Sequence, residues 1–389
     1  MILLLLVACD PRPCGPGPEA WDPPAAKPDP DDAAWLFDPL HHTSRIDLTL
    51  DADAVEILRA ERPFAEARFE VPGHATIDGE EVGAVGLRLR GGLGSFQRFD
   101  KKPEWRIDFN EVQEGRRFYG LEALDLNNAD EDPSYLADVA GMAVYALAGS
   151  PTPRVGYAQL FVNGEDKGLY ILVEDLDDRW LKRAFGEDDG NLYDGSYRFN
   201  TQDLIFLDLG EDQEELFDLE EGTDVNGADL RPLSRGLRAV DEGAPFAHLA
   251  DRLDLDAFHA LLAAERVTGN EDGYATFRNN YRIYLPPNEA PAVFLPWDMG
   301  ATFPADGFNA RRWDPPKGNL AAACLADRPC AAAHREAVSA LRLALDDSGL
   351  RVLIAAIADR IGPAAAGDPW GTCDPAAVRA AQRDLLDWL

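Results

Sequence analysis

The sequence predicts an α+β protein with a β-rich first half and a mainly helical second half. Segments in which apolar and polar residues alternate, separated by turn signals, are concentrated between residues 44 and 175. From about residue 176 onward, apolar residues recur at helical spacing in several long segments. The 389 residues, of which 46% are hydrophobic, can bury a large core as one large domain or as two ordinary ones.

The N-terminus predicts the cellular compartment. The stretch MILLLLVAC is too short to span a bilayer, but Leu6-Val7-Ala8-Cys9 has the pattern of a bacterial lipoprotein cleavage site. Residues 1–9 are therefore expected to be a signal peptide, with a lipid on Cys9. The alternative is a wrongly assigned start codon, because the basic residues that begin a signal peptide are missing. We expect an extracytoplasmic protein, periplasmic or on the cell surface, attached to a membrane by its lipid alone.

Residues 10–43 are rich in Pro and Asp and predict a tether, because such a segment buries little apolar surface. The fold is expected to begin near Ser44 with the strand IDLTL, followed by the helix DADAVEILRA after an Asp cap. Further strands are predicted at ARFEV, HATIDG, VGAVGLRLRG and EWRIDFN, in a meander with one buried face.

A helix is predicted next, beginning at Asp132 as a cap and ending at Gly149. A hairpin follows, with Asn163-Gly164 as its turn. The remaining chain predicts helices at RWLKRAF, LRPLSRGLRAV, DLDAFHALLAAERVTG and HREAVSALRLALDDSGLRVLIAAIADRIG.

The charge of the chain excludes one class of partner. Its 70 acidic and 37 basic residues give a formal net charge of −33, which repels phosphate backbones, so nucleic acid is not an expected partner. A solvated surface explains this charge more simply than an acidic functional patch.

The cysteines agree with an oxidising compartment, since an even number remains once Cys9 is assigned to the lipid. Cys324 and Cys330 enclose the short loop CLADRPC and are predicted to form a disulfide. The pairing of Cys14 and Cys373 stays open. Neither a C-x-x-C pair nor a His/Cys cluster in the sequence indicates zinc.

A glycine-rich turn, Gly91-Gly92-Leu93-Gly94-Ser95, joins two predicted strands. It is neither a Rossmann fingerprint nor a P-loop, because both need a following helix. Basic residues flank the turn on both sides in a chain otherwise poor in positive charge, namely Arg88, Arg90, Arg98, Lys101 and Lys102. Two interpretations stay open: an anion-binding turn that closes over phosphates, and an ordinary hairpin tip with solvated charges.

Candidate catalytic residues lie in the second half. Asp272 ends an apolar helix, Asn279 and Asn280 begin a strand, and Asp298 follows in the stretch VFLPWDMGATF. An acidic base, an amide and then an Asp before a Gly is the order of a kinase catalytic loop and its metal-binding segment. Asp can deprotonate a hydroxyl group, and Asp and Asn are hard oxygen ligands for magnesium. Each residue alone has a structural explanation as a turn or bulge, but their order favours the catalytic one.

Several segments resemble, in order and spacing, the CotH kinase-like family of spore-coat and secreted bacterial proteins, which is similar to atypical secretory protein kinases. They are GLRLRGGLGSFQRFDKKPEWRIDF, FYGLEALDLNNADEDPSYLADVAG, TPRVGYAQLFVNGEDKGLYILVEDLD, GNLYDG, FRNNYRIYL and VFLPWDMGATF. The resemblance implies an atypical bilobal protein-kinase-like fold, with a β-rich N-lobe at 44–175 and a mainly helical C-lobe at 176–389. It also implies phosphorylation of protein Ser or Thr with ATP as co-substrate and Mg²⁺ or Mn²⁺ as cofactor.

The resemblance also implies residue roles. Asp272 corresponds to the catalytic aspartate, Asp298 to the metal aspartate, and Asn280 or Asn279 to the catalytic-loop amide. The nucleotide site would comprise the basic residues near the phosphates, the Gly-rich turn and the connector where adenine would lie, that is Arg90, Ser95, Lys101, Lys102 and Glu174. Gly300 departs from the family pattern, which often has an acidic or amide residue two positions after the metal aspartate.

Three functions remain open at this point. The first is an active extracytoplasmic protein kinase. The second is a pseudokinase that serves as a surface structural or binding module. The third is a metal-dependent hydrolase that uses Asp272 and Asp298, although the motifs lack the histidines usual in hydrolytic metal sites.

Overall fold

A computed structural model describes residues 29, 31–63, 68–92, 94–195, 197–199, 204–224, 226–305, 313, 315–372 and 374–389. The predicted signal peptide with Cys9, and also Cys14 and Cys373, lie outside these residues. The predicted α+β class is confirmed. Within the described ranges, the length and hydropathy of the helices identify no candidate for a membrane span.

Seven strands of the first half form a closed barrel. They are β1 (Ser44–Thr49), β2 (Glu70–Ile77), β3 (Glu80–Leu89), β4 (Trp105–Asp108), β5 (Ala123–Asn127), β6 (Val155–Val162) and β7 (Glu165–Glu174), in the order β1-β2-β3-β4-β5-β7-β6. Neighbouring strands are antiparallel except β1 and β6, which run parallel and close the barrel. The predicted meander is therefore a barrel, and its closure leaves no strand edge unpaired.

In this half, the capping and turn residues form the structures that the sequence predicted, whereas some strand predictions differ. Helix α1 (Ala52–Ala60) begins after Asp51, whose side chain accepts a hydrogen bond from Ala54 N–H. The turn residues Asn163 and Gly164 both have left-handed φ angles, 50° and 80°, as a two-residue hairpin turn requires. The segments ARFEV and HATIDG, predicted as two strands, contribute to the single strand β2, and β5 was not predicted.

Helix α2 (Ala137–Ala148) begins later than predicted. Asp132 is not its cap residue; its Oδ2 accepts a hydrogen bond from Ala137 N–H at 2.7 Å, and its Oδ1 accepts one from Ser134 N–H at 2.8 Å. Asp132 therefore holds the turn that leads into the helix. The helix ends at Gly149, as predicted, where a left-handed φ of 97° stops it.

The predicted tether overlaps residues that pack on the barrel. Residues Ala34–Phe37 form a 3₁₀ helix, and Ala33, Leu36 and Phe37 are buried in the barrel core. The carbonyl oxygen of Leu36 lies so close to Gly156 in β6 that a Cβ atom there would be only 2.1 Å from it. The globular structure therefore extends to the N-terminal side of Ser44.

The second half contains helices and two small sheets. The helices are α3 (Asp178–Phe185), α4 (Arg231–Asp241), α5 (Leu255–Thr268), α6 (Tyr274–Phe277), α7 (Asn319–Ala326), α8 (Arg328–Ser348), α9 (Leu350–Ala366) and α10 (Pro375–Trp388). One sheet pairs β9 (Tyr197–Phe199) with β10 (Leu204–Phe206). The other has the order β11-β8-β12-β13, with β8 (Asn191–Asp194), β11 (Asp218–Glu221), β12 (Tyr281–Leu285) and β13 (Val293–Pro296). The long C-terminal helix predicted at 334–362 is two helices, because Gly349 has a left-handed φ of 70°.

Two hydrophobic cores hold the described residues together. One core fills the barrel and includes Trp105, Ile107 and Leu172. The other core joins α2 and the remaining faces of β6 and β7 to the four-stranded sheet and the later helices. Helix α2 is hydrophobic on nearly all sides because it lies between the barrel and α5. This arrangement brings the start of α2 next to the end of β13.

Candidate functional site

An acidic cleft lies between the barrel and the end of the four-stranded sheet. The connection between β3 and β4, the end of β5 with its following loop, helix α2 and the segment after β13 all contribute to it. Its lining residues are Ser95, Glu104, Asn127, Asn128, Ala129, Asp130, Glu131, Asp132, Asp138, Asp298 and Gly300. Among the described residues, no lysine, arginine or histidine lines this cleft.

Asp298 enters the cleft through a sharp change of backbone direction. Strand β13 is buried and pairs with β12, and Trp297 N–H donates a hydrogen bond to the carbonyl oxygen of Asn280 at 3.0 Å. Asp298 then adopts a left-handed φ of 46°, a conformation that few non-glycine residues adopt. Its Oδ1 accepts a hydrogen bond from Gly300 N–H at 3.0 Å. The chain therefore leaves the sheet at Asp298.

Helix α2 fixes the segment that carries Asp298. The Oδ1 atom of Asp138 accepts a hydrogen bond from Met299 N–H at 3.0 Å. One turn later, Gly141 faces the same methionine, and a Cβ atom on Gly141 would lie 2.8 Å from the Met299 Cβ atom. A glycine is needed there for α2 to approach so closely. The backbone after Asp298 is thus attached to α2 by a hydrogen bond and by tight packing.

Asp272 lies in the loop after α5 and is held by two amides. Asn279 Nδ2 donates to Asp272 Oδ2 at 2.8 Å, and Asn280 Nδ2 donates to the same oxygen at 3.0 Å. Asn270 Oδ1 accepts a hydrogen bond from the backbone N–H of Asp272, also at 3.0 Å. Asn279 Oδ1 is buried and has no hydrogen-bond partner among the described residues. That oxygen is a candidate ligand for a cation.

The carboxylates around Asp298 have raised pKa values. Burial raises the pKa of Glu104 and of Asp138 to about 8, and the charge of Asp298 adds to both shifts. The same two causes raise the pKa of Glu131 to about 7 and that of Asp272 to about 6, although the amides of Asn279 and Asn280 oppose the shift at Asp272. Several carboxyl groups therefore converge where their joint ionisation is costly, and a divalent cation would stabilise their ionised forms.

The predicted nucleotide residues have different surroundings. The hydroxyl group of Ser95 forms a hydrogen bond with Glu104 in the cleft. Arg90 forms an ion pair with Asp125 on β5, and its guanidinium group lies 5.6 Å from the ring centroid of Trp297. Arg90 therefore lies beside Trp297, the residue before Asp298. Its guanidinium group, however, pairs with the carboxylate of Asp125 in the barrel.

The structure places the other three predicted nucleotide residues outside the cleft lining. Lys102 is buried, with its Nζ atom 2.6 Å from Asp368 Oδ2, and the exposed side chain of Lys101 extends toward Trp370. Glu174 is buried at the end of β7, where Arg154 and Arg183 bind both of its carboxylate oxygens. Lys102 and Glu174 are thus engaged in internal ion pairs.

Sequence reasoning did not predict Glu104, Glu131 and Asp138 as site residues. Two signals point to Glu131 and Asp138. The stretch NNADED at 127–132 concentrates carboxylate and amide groups directly after a short apolar segment. Asp138 is the only acidic residue in the apolar helix α2, and a lone carboxylate in such a helix requires a partner.

Comparisons with known proteins agree on one family. A protein-family model described as CotH kinase protein matches residues 87–389. The inner spore coat protein H of Bacillus subtilis is 24% identical over 221 residues, which cover 55% of this chain and 58% of that protein. The spore coat protein homolog 1 of Rhizopus delemar is 22% identical over 201 residues, which cover 49% of this chain and 32% of that protein. The match thus extends over about half of the first relative and a third of the second.

One solved structure with distant similarity is a complex of HipA, HipB and operator DNA from a toxin–antitoxin system of Shewanella oneidensis. The matched chain is 15% identical, with a TM-score of 0.26, and the match covers 68% of this chain and 57% of that one. A TM-score this low supports no structural argument.

Proposed function

Because the chain belongs to the CotH kinase protein family, we propose that it transfers the γ-phosphoryl group of ATP to Ser or Thr hydroxyl groups of a protein, with Mg²⁺ or Mn²⁺ as cofactor. In this proposal the barrel with α2 corresponds to the N-lobe of an atypical bilobal kinase, and residues 176–389 to the C-lobe. The active site between them would comprise the acidic cleft and the segment with Asp272, Asn279 and Asn280, which lies beside the cleft but outside its lining.

The observation that carries this proposal is the set formed by Asp272, its two asparagines and Asp298. Asp298 is close enough for its charge to raise the pKa of Asp272, and the unpaired Oδ1 of Asn279 supplies an oxygen of the kind that magnesium prefers. These residues fit a divalent cation, and Asp298 with Asn279 or Asn280 would hold it. When bound, the ion would neutralise phosphate charge during transfer.

Asp272 is suited to act as the general base. Both asparagines bind its Oδ2 atom, an arrangement that fixes the carboxylate and leaves Oδ1 for the acceptor hydroxyl group. With a pKa of about 6, Asp272 is ionised at neutral pH and still basic enough to take a proton. The enzyme would therefore need Asp272 for transfer rather than for nucleotide affinity.

The composition of the cleft predicts a strict metal requirement. None of its described lining residues is basic, so the protein itself offers little positive charge to the phosphates of ATP. We therefore expect isothermal titration calorimetry of the purified chain to detect ATP binding with Mg²⁺ present and none with EDTA. Transfer is measured in the same samples with labelled ATP and a library of Ser- and Thr-containing peptides. Equal ATP binding with EDTA would contradict the proposed site.

A second candidate function is a pseudokinase that serves as a structural or binding module at the cell surface. It is favoured by Gly300, where the family often has an acidic or amide residue, and by the internal ion pairs of Arg90 and Lys102. Magnesium-dependent ATP binding without any phosphopeptide would support this function. A metal-dependent hydrolase is less well supported, since no histidine among the described residues lines the cleft.

A further inference from the structure

A second group of potential metal ligands lies outside the acidic cleft, where three helices meet. His259 is on α5, Cys324 is on α7 and Cys330 is on α8. One ligand atom from each of the three residues lies within 4.8 Å of the other two. His259 Nε2 is 3.8 Å from Cys330 Sγ, and the two cysteines form a disulfide.

The histidines at this position lack the partners expected of buried polar groups. The Nδ1 atoms of His259 and His334 are both buried and have no hydrogen-bond partner among the described residues. His334 follows Cys330 by one turn of α8, so the two side chains are on the same face of the helix.

We propose that reduction of the Cys324–Cys330 disulfide creates a zinc site formed by both thiolates and the Nε2 atom of His259, with His334 or a water molecule as the fourth ligand. Two sulfur ligands with one or two imidazole nitrogens are a donor set that zinc prefers in tetrahedral sites. The sequence alone did not indicate this site, because its ligands come from three helices and His259 is far from the cysteines in the chain.

A dithiol supplies the electrons and protons for reduction of the disulfide. The dithiol transfers two electrons and two protons to the disulfide, so Cys324 and Cys330 become thiols and the dithiol becomes its own disulfide. Zinc then binds the two sulfur atoms and releases their two protons. Because disulfide sulfurs are not thiolate ligands, the disulfide and the zinc site exclude each other. The disulfide links α7 and α8, whereas the zinc site would also include α5; both are independent of the proposed kinase activity.

The test uses the full chain with Cys9, Cys14 and Cys373 replaced by serine, so that only the proposed pair remains. The protein is reduced with dithiothreitol, freed of reductant without oxygen, and titrated with Co²⁺ and then Zn²⁺. We expect one equivalent of Co²⁺ with a thiolate-to-cobalt charge-transfer band, which Zn²⁺ displaces. The oxidised protein should show no band. His259→Ala should weaken binding about tenfold or more, whereas the exposed His248→Ala should match the parent.

Circular dichroism of the same samples separates metal binding from unfolding. If the reduced protein loses structure without metal, we expect Zn²⁺ to restore it in the parent and not in Cys330→Ser. The proposal is wrong if the reduced, folded protein binds no Co²⁺ through thiolate. It is also wrong if His259→Ala and His259→Asn bind the metal as tightly as the parent, because two thiols alone would then explain the signal.

Discussion

Asp298 and Asp272 have different surroundings, and we expect their substitutions to affect different steps. Asp298→Asn keeps a side chain that tolerates the left-handed backbone but removes the charge, so magnesium-dependent ATP binding should be lost with little change in thermal stability. Asp272→Asn should keep ATP affinity while transfer falls about 100-fold or more, as for loss of a general base. Calorimetry and peptide phosphorylation measure the two effects separately.

Two outcomes would assign these residues a structural role instead. If the Asp298→Asn variant binds ATP and Mg²⁺ as tightly as the parent does, Asp298 is not a metal ligand. Asp272→Asn that unfolds at a much lower temperature would show that its hydrogen bonds with Asn279 and Asn280 mainly stabilise the loop.

The raised pKa values of Glu104 and Asp138 predict how stability depends on pH in the absence of metal. Both pKa values are about 8 in the folded protein, against ordinary values of 4.5 and 3.8. The protonated carboxyls therefore stabilise the fold; this contribution is complete below the unfolded pKa and is lost as the pH rises through about 8. Urea midpoints with EDTA should fall between about pH 5 and about pH 8.

Magnesium should oppose this fall, because it stabilises the ionised carboxylates that the rise in pH produces. Glu104→Gln should flatten the pH dependence, and Glu114→Gln, an exposed change remote from the cleft lining, should not. A parent protein whose urea midpoint rises from about pH 5 to about pH 8 with EDTA would contradict the assignment of protonated carboxyls.

Among the larger elements, the connection between α9 and α10 is attached to the barrel through Asp368. Its Oδ2 atom accepts hydrogen bonds from Lys102 Nζ at 2.6 Å, from Tyr135 OH at 2.8 Å and from Leu169 N–H at 3.0 Å. Asp368 therefore joins a C-terminal segment to β7, to the loop before α2 and, through Lys102, to the connection between β3 and β4. This ion pair is a structural contact, and the expected role of Lys102 at the phosphates stays a prediction.

Lys102→Met should lower the free energy of unfolding by about 3 kcal/mol, because it removes the cation that pairs with the buried Asp368 carboxylate. Chemical denaturation measures this change, and the neighbouring exposed Lys101→Met is the matched control with little expected effect. ATP affinity should be the same in both variants. A Lys102→Met variant that is as stable as the parent but no longer binds ATP would support a phosphate-binding role for Lys102.

The elements that the sequence predicted are those with local signals. Asp51 before α1, Asn163-Gly164 in the hairpin and Gly149 after α2 each determine structure within a few residues. Strand β5 was missed because it contains Asp125, and an aspartate in the sequence indicates a loop. In the structure, Asp125 is buried and forms ion pairs with arginines of neighbouring segments. The four-stranded sheet was missed because β8 pairs with β12, nearly ninety residues later.

The site residues also divide into those with local sequence signals, which were predicted, and those that only tertiary packing brings together, which were not. Asp272, Asn279 and Asn280 lie within one short stretch, so their common position could be inferred from their spacing. Glu104, Glu131 and Asp138 approach Asp298 only after the barrel, α2 and β13 have packed together. Tertiary structure of this kind leaves no periodic pattern in the sequence.

At the scale of the whole molecule, the N-terminal lipid remains a prediction. Cys9→Ala should move the protein from the membrane fraction to the soluble fraction, because the variant lacks the sulfur atom that would carry the lipid. Cys14→Ala is the control and should stay with the membrane. Fractionation followed by immunoblotting measures the distribution, and unchanged membrane association of Cys9→Ala would contradict lipidation at that residue.

The parallel pairing of β1 with β6 also constrains the order of folding. Ser44 pairs with Ala158, so a ribosome must synthesise more than a hundred further residues before the barrel can close. Until the β6–β7 hairpin emerges, a sheet of β1 to β5 has two unpaired edges, and such edges join with those of other chains. Fragments that end between Asn127 and Val155 would therefore keep both edges open, and we expect them to aggregate more readily than a fragment that extends past Glu174.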